Sequence, residues 1–163
     1  METPARRLTA LVEGDFVVFL IGMSINQWWR VDQWVPVAVA MARMQAELAR
    51  APDLGLMGLM NAGISNPTIS IQYWRSAEHL FRYATSKDAA HLPAWVAFRE
   101  RVKNNRAVGV WHETFLVSAG RYEAVYSDMP PFGLGSFAPR VPAHGRRDGA
   151  RGRVEANVAG TLG

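Results

Sequence analysis

The sequence predicts a single α+β domain, and the spacing of its apolar residues supports this class. In one set of segments apolar residues alternate with period two, as in strands, and in another they recur every three to four positions, as on one helix face. These segments follow one another in the order β α β β α β. With 163 residues, 49% of them hydrophobic, the chain has the size of one domain and enough apolar surface for a packed core.

The first strand is predicted at FVVFLIGMSI, residues 16–25, where both alternating faces are apolar. Such a strand is expected to be covered on both sides. The chain then turns through NQWWRVDQWVP, and Pro36 fits the first turn of a helix predicted from Val37 to Arg50. The apolar stripe of this helix consists of Val37, Met41, Met44 and Leu48.

Two strand-like segments follow, GLMGLMNAGI and PTISIQYWRS, and the turn residues between them predict a hairpin. In the second segment Ile69, Ile71 and Tyr73 form an apolar face that alternates with a mixed face. Ser76 has the side chain of an N-cap for the helix AEHLFRYATSK. After a break, the helical pattern continues over residues 88–104.

The last strand is predicted at GVWHETFLVSAG, residues 109–120, and we expect it to be central in the sheet. The segment YEAVYSD could add a further strand. The complete order is that of the ferredoxin-like βαββαβ fold, a four-stranded sheet with two helices on one face. Because the strands offer apolar residues to both sides, the uncovered face is expected to pack against a second copy, which gives a homodimer.

The charge distribution indicates three parts: an N-terminal segment (1–13), the ferredoxin-like domain (14–137) and a tail (138–163). Residues 1–139 carry 13 basic and 12 acidic side chains, so most of the net charge of +4 comes from the five Arg after them. This Arg/Gly-rich tail has no apolar periodicity, and we expect it to be disordered. The basic charge is therefore weak evidence for a nucleic-acid partner, which we do not expect.

Several function classes are excluded or disfavoured by composition. Without cysteine the chain has no disulfide, thiolate zinc site, iron–sulfur cluster or cysteine nucleophile. The ten-residue apolar run is about half as long as a membrane-spanning helix needs, and the acidic residues before it do not fit a signal peptide. We expect a cytoplasmic protein with no membrane contact. No metal-binding motif or glycine-rich phosphate loop is visible.

An ordered series of motifs resembles an uncharacterised monooxygenase-like family related to the antibiotic biosynthesis monooxygenases. The motifs are FLIGMSINQWW, QYWRSAEHLFRYA, HLPAWVAF, VWHETFLV and YEAVYSDMPPFGLG, over about residues 14–135. The resemblance implies a dimeric α+β barrel, in which two ferredoxin-like subunits pair sheet to sheet and each has a pocket between sheet and helices. The superfamily includes oxygenases without metal or flavin, haem-degrading enzymes, haem-containing aldoxime dehydratases and binding modules, so the fold alone does not settle the function.

His112 is the candidate catalytic residue. On a strand it shares a face with Val110 and Thr114, whereas Glu113 points to the other face, so the two neighbours are not partners. A neutral imidazole accepts protons near pH 7, and the resemblance, which repeats the WHE triplet, favours a catalytic base over a structural histidine. Glu113 is predicted to form an ion pair with Arg75.

The resemblance also implies a substrate pocket near the end of the first strand. The candidate substrate-binding residues are Asn26, Trp29, Tyr73, Trp74 and Trp111. The alternative is that these aromatic rings only cap the core, as large aromatic residues usually do.

These residues lead to the hypothesis of a small monooxygenase-like enzyme for a hydrophobic, aromatic or polyketide-like secondary metabolite, with His112 as base and no flavin. The first alternative is a haem enzyme of the aldoxime dehydratase or haem oxygenase type, with His91 or His112 as axial ligand. The resemblance suggests His91 because relatives carry a histidine in this region. The second alternative is a binding module without turnover, whose pocket would be filled by side chains.

Overall fold

The computed structural model describes residues 7–63, 65–86, 93, 96, 100 and 106–160. The chain divides into two compact units. One unit comprises Val18–Phe115, and the other comprises Met1–Val17 with Leu116–Gly163. The strands are β1 (Arg7–Ala10), β2 (Phe16–Ile25), β3 (Leu56–Asn61), β4 (Ser70–Trp74), β5 (Val108–Val117), β6 (Tyr126–Ser127) and β7 (Arg140–Pro142). The helices described along their whole length are α1 (Val31–Arg50), α2 (Ala77–Thr85) and α3 (Ala150–Gly160).

The four-stranded sheet has the order β3-β4-β2-β5. Together with the chain order β2 α1 β3 β4 α2 β5, this is the ferredoxin-like arrangement that the sequence predicts. The strand β5 is at the edge of this sheet, so the expectation of a central strand is wrong. An edge strand has one hydrogen-bonded neighbour, but both of its faces can still be covered by other parts of the protein. The apolar content of β5 therefore does not distinguish an edge strand from a central one.

Helix α1 begins at Val31, six residues before the predicted start, so Pro36 lies inside the helix. Asp32 is in the first turn and accepts hydrogen bonds from Arg30 and Gln33. The bond from Arg30 is the main reason why the pKa of Asp32 falls to about 2. A carboxylate at a helix N-terminus is favoured by the helix dipole, which supports the early start.

The predicted stripe of α1 does face the core. Met44 and Leu48 are buried, while Val37 and Met41 pack against a cluster that includes Met23 of β2. Helix α2 also begins as predicted, because the Ser76 side chain accepts a 3.2 Å hydrogen bond from the backbone N–H of His79. Of the helical segment predicted at 88–104, only Pro93, Val96 and Glu100 are described, and they are helical.

The predicted hairpin of β3 and β4 is confirmed as an antiparallel pair, with Asn61 opposite Ser70. Its buried face is the mixed one. Ser70, Gln72 and Trp74 are all at most 2% exposed, whereas Ile71 and Tyr73 of the apolar face are only partly buried. Sequence alternation separates two faces but does not decide which one the helices cover.

In the other unit, β1 lies between β6 and β7 in a three-stranded sheet. The prediction of a disordered tail is wrong for most of its residues, because β7, a 3-10 turn (Gly145–Arg147) and α3 fold there. The helix is anchored by polar residues. Arg153 is 3% exposed and pairs with Glu123, while the side-chain amide of Asn157 donates to the backbone oxygen of Tyr122. Composition alone does not reveal such buried pairing.

No described helix is long and apolar enough to cross a membrane.

Candidate functional site

A cavity of about 180 Å³ lies in the ferredoxin-like unit, between the sheet and the two helices. Its floor is formed by β4, β2 and β5, and its other walls include Met44 of α1 and Leu80 of α2. The lining is mainly apolar and aromatic, which is typical of small-molecule sites. The volume equals that of about six liquid water molecules, which is enough space for a small ligand or for the reacting ring of a larger one.

His112 lines this cavity from β5, together with Thr114. The predicted assignment of these two residues to one face is therefore confirmed. The His112 ring lies 5.6 Å from the ring of Phe19, measured between centroids, at an interplanar angle of 40°. Within the described part of the chain, its ring nitrogens have no hydrogen-bond partner. A lone pair is thus free to accept a proton from a ligand or to bind a metal ion.

Glu113 does not form the predicted ion pair with Arg75 in the described part of the chain. Both residues are exposed, and strand β2 separates the strand of Glu113 from β4, which ends next to Arg75. No group of three or more His, Asp or Glu residues that could hold a metal ion occurs among the described residues.

Trp74, a predicted pocket residue, does line the cavity, and it brings Gln72 with it. The indole N–H of Trp74 donates a 3.0 Å hydrogen bond to Oε1 of Gln72. Nε2 of Gln72 is buried and has no hydrogen-bond partner among the described residues. One of the lining residues, Gln72, therefore carries a buried amide donor that the sequence prediction missed, although Gln72 lies two positions before Trp74 on the same strand face.

Tyr83 of α2 completes the aromatic wall, with its ring centroid 5.6 Å from that of Trp74. Its hydroxyl donates a 2.7 Å hydrogen bond to Glu47 of α1. Burial, and secondly the carboxylate of Glu47, raise the pKa of Tyr83 well above its usual value. The phenol therefore stays protonated at neutral pH and joins the two helices beside the cavity.

Two predicted pocket residues, Tyr73 and Trp111, lie on the opposite face of the sheet. Each is adjacent in its strand to a residue that faces the cavity, so strand alternation directs it away. The indole N–H of Trp111 donates to the backbone oxygen of Thr68 across Gly22, at 3.3 Å. Neither residue lines the cavity.

Asn26 and Trp29 are also outside the cavity lining. The amide of Asn26 donates to the backbone oxygen of Arg106 at 3.0 Å and accepts a hydrogen bond from Ser24, so it holds the end of β2 in place. Trp29 is 75% exposed. The remaining histidine candidate, His91, lies outside the described residues.

The sheet and the helices over it define the class: a ferredoxin-like α+β protein, here with an apolar cavity between sheet and helices. The chain belongs to the monooxygenase af470-like family, whose model matches residues 16–134. It is 26% identical over 145 residues to monooxygenase af470 of Aspergillus fumigatus, covering 84% of this chain and 50% of that protein. The chain thus spans about half the length of this curated relative.

Solved structures are similar at lower identity. Aldoxime dehydratase OxdRE, crystallised with butyraldoxime, superposes with a TM-score of 0.65 at 16% identity, covering 85% of this chain and 42% of that one. SnoaB, a cofactor-independent oxygenase from Streptomyces nogalater, gives a TM-score of 0.43 at 19% identity, over 62% of this chain and 91% of SnoaB. At these identities the aldoxime dehydratase supports the fold and nothing finer.

Proposed function

We propose that the protein is a small monooxygenase-like enzyme that oxidises a hydrophobic, aromatic or polyketide-like secondary metabolite without flavin, with His112 as the base. The observation that carries the proposal is the position of His112, an exposed imidazole on the wall of an apolar cavity with no hydrogen-bond partner among the described residues. Membership of the monooxygenase af470-like family supports oxygen chemistry. The mainly apolar lining suits a flat hydrophobic ligand.

In the proposed reaction, His112 removes a proton from an acidic phenol or enol, and the resulting anion has carbanion character at a ring carbon. This carbon forms a bond to O₂, which takes electrons from the substrate. Loss of water from the peroxide then leaves a new C=O group. One oxygen atom enters the product and the other leaves as water, so the substrate itself supplies all four electrons.

A suitable probe is 1,3-dihydroxynaphthalene, which is a phenol and also the enol form of a β-dicarbonyl compound. Oxidation at its ring carbon would give 2-hydroxy-1,4-naphthoquinone and one water for each O₂ consumed. We expect O₂ uptake with the native protein and an at least about 100-fold lower rate for His112→Ala, because general bases contribute about that much or more. His144→Ala, at an exposed position in the other unit, is the control. Undiminished turnover by His112→Ala would refute the mechanism.

We also propose that the active form is a homodimer, paired through the sheet face that carries Tyr73 and Trp111. This face presents apolar side chains away from the cavity, including Phe115, which is 49% exposed. Burial of such a face would explain why both sides of the strands are apolar. Light scattering after gel filtration should give the dimer mass for the native protein and the monomer mass for Phe115→Glu. A native monomer contradicts this part of the proposal.

A haem-dependent activity is the second candidate, because His112 offers a nitrogen ligand on the cavity wall that has no partner in the described ranges of the chain. The described cavity, at about 180 Å³, is smaller than usual small-molecule sites of about 300–1,000 Å³. The described residues therefore do not fit a tetrapyrrole, and we derive no step through haem. Haem titration tests this candidate. A protein that develops no Soret band does not bind haem and has no haem-dependent activity. His91→Ala and His112→Ala would then identify the ligand if a band forms.

A binding module without turnover is the third candidate. It predicts a pocket filled by side chains, whereas the cavity is open but lined mainly by apolar groups. Binding of 1,3-dihydroxynaphthalene with no O₂ uptake under any tested condition would favour this reading.

A further inference from the structure

Gln72 carries a buried amide whose hydrogen-bonding capacity is only partly used. The residue is 1% exposed, and its Oε1 accepts the hydrogen bond from Trp74. Within the part of the chain that the structure describes, its Nε2 has no hydrogen-bond partner. A buried donor without a partner is costly for folding, so such a group calls for an explanation.

The orientation of this amide follows from its neighbour. An indole N–H can only donate, so the atom of Gln72 that faces Trp74 must be the carbonyl oxygen. The opposite orientation would place two donors against each other. The group left without a partner is therefore the NH₂ group, which can only donate to an acceptor.

Gln72 and His112 line the same cavity from different strands. Strand β2 lies between β4 and β5, and neighbouring strands are about 4.8 Å apart, so the backbones of the two residues are separated by about 10 Å across the sheet. Phe19 of β2 lies on the cavity floor between these strands. A flat ring system above Phe19 would have the amide donor at one side and the imidazole at the other.

We propose that Gln72 is a substrate-binding residue whose Nε2 donates a hydrogen bond to a phenol, enol or carbonyl oxygen of the ligand. This inference rests on the proposed function and specifies its substrate class: a flat, hydrophobic ligand with an oxygen acceptor on the side remote from its acidic proton. When His112 removes that proton, negative charge spreads to the oxygen near Gln72. Because hydrogen bonds to charged acceptors are stronger, the amide also stabilises the anion.

Binding can be measured without oxygen, by anaerobic equilibrium dialysis. The probes are 1,3-dihydroxynaphthalene and naphthalene, which has no oxygen acceptor. We expect Gln72→Leu to weaken binding of the dihydroxy compound about tenfold, while naphthalene binding changes by less than about twofold. A second variant, Gln72→Glu, is compared with Gln45→Glu as its matched control. Gln45 lies outside the cavity lining and pairs with Asn61. Gln45→Glu should therefore leave the affinities for both probes unchanged.

Gln72→Glu adds a readout that a purely structural role would not change. A buried carboxyl group has a raised pKa. While it is protonated it can donate to the ligand, and its second oxygen can still accept from Trp74. We therefore expect near-native affinity for 1,3-dihydroxynaphthalene at about pH 5 and progressive loss towards about pH 8, relative to the native protein at each pH.

Three results would overturn the inference. The native protein fails to bind 1,3-dihydroxynaphthalene, or Gln72→Leu weakens both probes equally, or Gln72→Glu shows the same pH dependence as the native protein. These results differ from a failure of the proposed function alone. If only the proposed function fails, the native protein consumes no O₂, but Gln72→Leu still selectively loses affinity for 1,3-dihydroxynaphthalene.

Discussion

The hydroxyl of Tyr83 donates a 2.7 Å hydrogen bond to the carboxylate of Glu47, and this bond joins α2 to α1 beside the cavity. Tyr83 is 6% exposed, so its ring and hydroxyl are removed from water. Ionisation of the phenol would place a second negative charge next to Glu47. This is one reason why the pKa of Tyr83 is raised, after burial itself.

The first prediction concerns alkaline pH. The folded-state pKa of Tyr83 lies above the unfolded value of about 10, so the stabilising contribution is complete below that pH and is lost as pH rises above it. Tyr83→Phe should lower the free energy of unfolding by about 1–3 kcal/mol at pH 7, because a hydrogen bond to a charged group is lost. Urea denaturation from pH 7 to 11 should show a smaller alkaline decline for Tyr83→Phe. If the free energy of unfolding of both proteins declines equally with pH, the alkaline loss of stability does not come from Tyr83.

The second prediction concerns the core stripe of α1. Leu48 is 2% exposed, whereas Val39 on the same helix is 42% exposed. Leu48→Ala should reduce the free energy of unfolding by about 2–5 kcal/mol, since it creates a cavity in the core. Val39→Ala should change it by less than about 0.5 kcal/mol. Equal effects in urea denaturation would show that the stripe does not face the core.

The sequence predicts the ferredoxin-like unit well because its signals are local. The period-two run of β2 matches the observed strand, the alternation of β5 places His112 and Thr114 on one face, and Ser76 caps α2 as its side chain suggests. Each of these features depends on residues only a few positions apart.

The site was harder to predict, because it depends on which sheet face receives the helices. Tyr73 was a better candidate than Gln72 by residue type, yet the helices cover the face of Gln72 and Trp74. A mixed strand face can be the buried one when its polar groups bond to each other, as the amide of Gln72 and the indole of Trp74 do. A single sequence shows no signal for such a pairing.

The third prediction tests the ordered C-terminal helix. Arg153 donates to Glu123 at 2.7 Å from Nε and also to the backbone oxygen of Asp148. Arg153→Ala would remove the ion-pair partner of Glu123, whose side chain is 30% exposed, while the Asp148 carbonyl would keep its hydrogen bond from Arg7. Removing one member of a buried ion pair costs about 3–5 kcal/mol, and the cost here is lower because Glu123 stays partly hydrated. The loss still weakens the anchoring of α3, so limited proteolysis should cut this helix in the variant. Arg151→Ala, at an exposed position of the same helix, should stay resistant.

The fourth prediction compares two glycines on neighbouring strands. A Cβ atom on Gly22 would lie 1.8 Å from the backbone oxygen of Thr68, a contact that no side-chain rotation relieves. A Cβ on Gly109 would meet nothing closer than 3.7 Å. Gly22→Ala should therefore displace Thr68, two residues before β4, from β2 and destabilise the fold by about 3 kcal/mol or more, beyond ordinary overpacking. Gly109→Ala should be neutral or stabilising by up to about 1 kcal/mol, because alanine loses less backbone entropy on folding.

Thermal unfolding of the two glycine variants beside the native protein decides this prediction. The expected order of melting temperature is Gly109→Ala at or above native, and Gly22→Ala far below it or insoluble. Because Trp111 also lies over Gly22, Trp111→Ala gives more space on that face but leaves the Thr68 contact in place. It should therefore fail to rescue Gly22→Ala. A rescued double variant would show that the indole, and not the backbone of Thr68, requires glycine at this position.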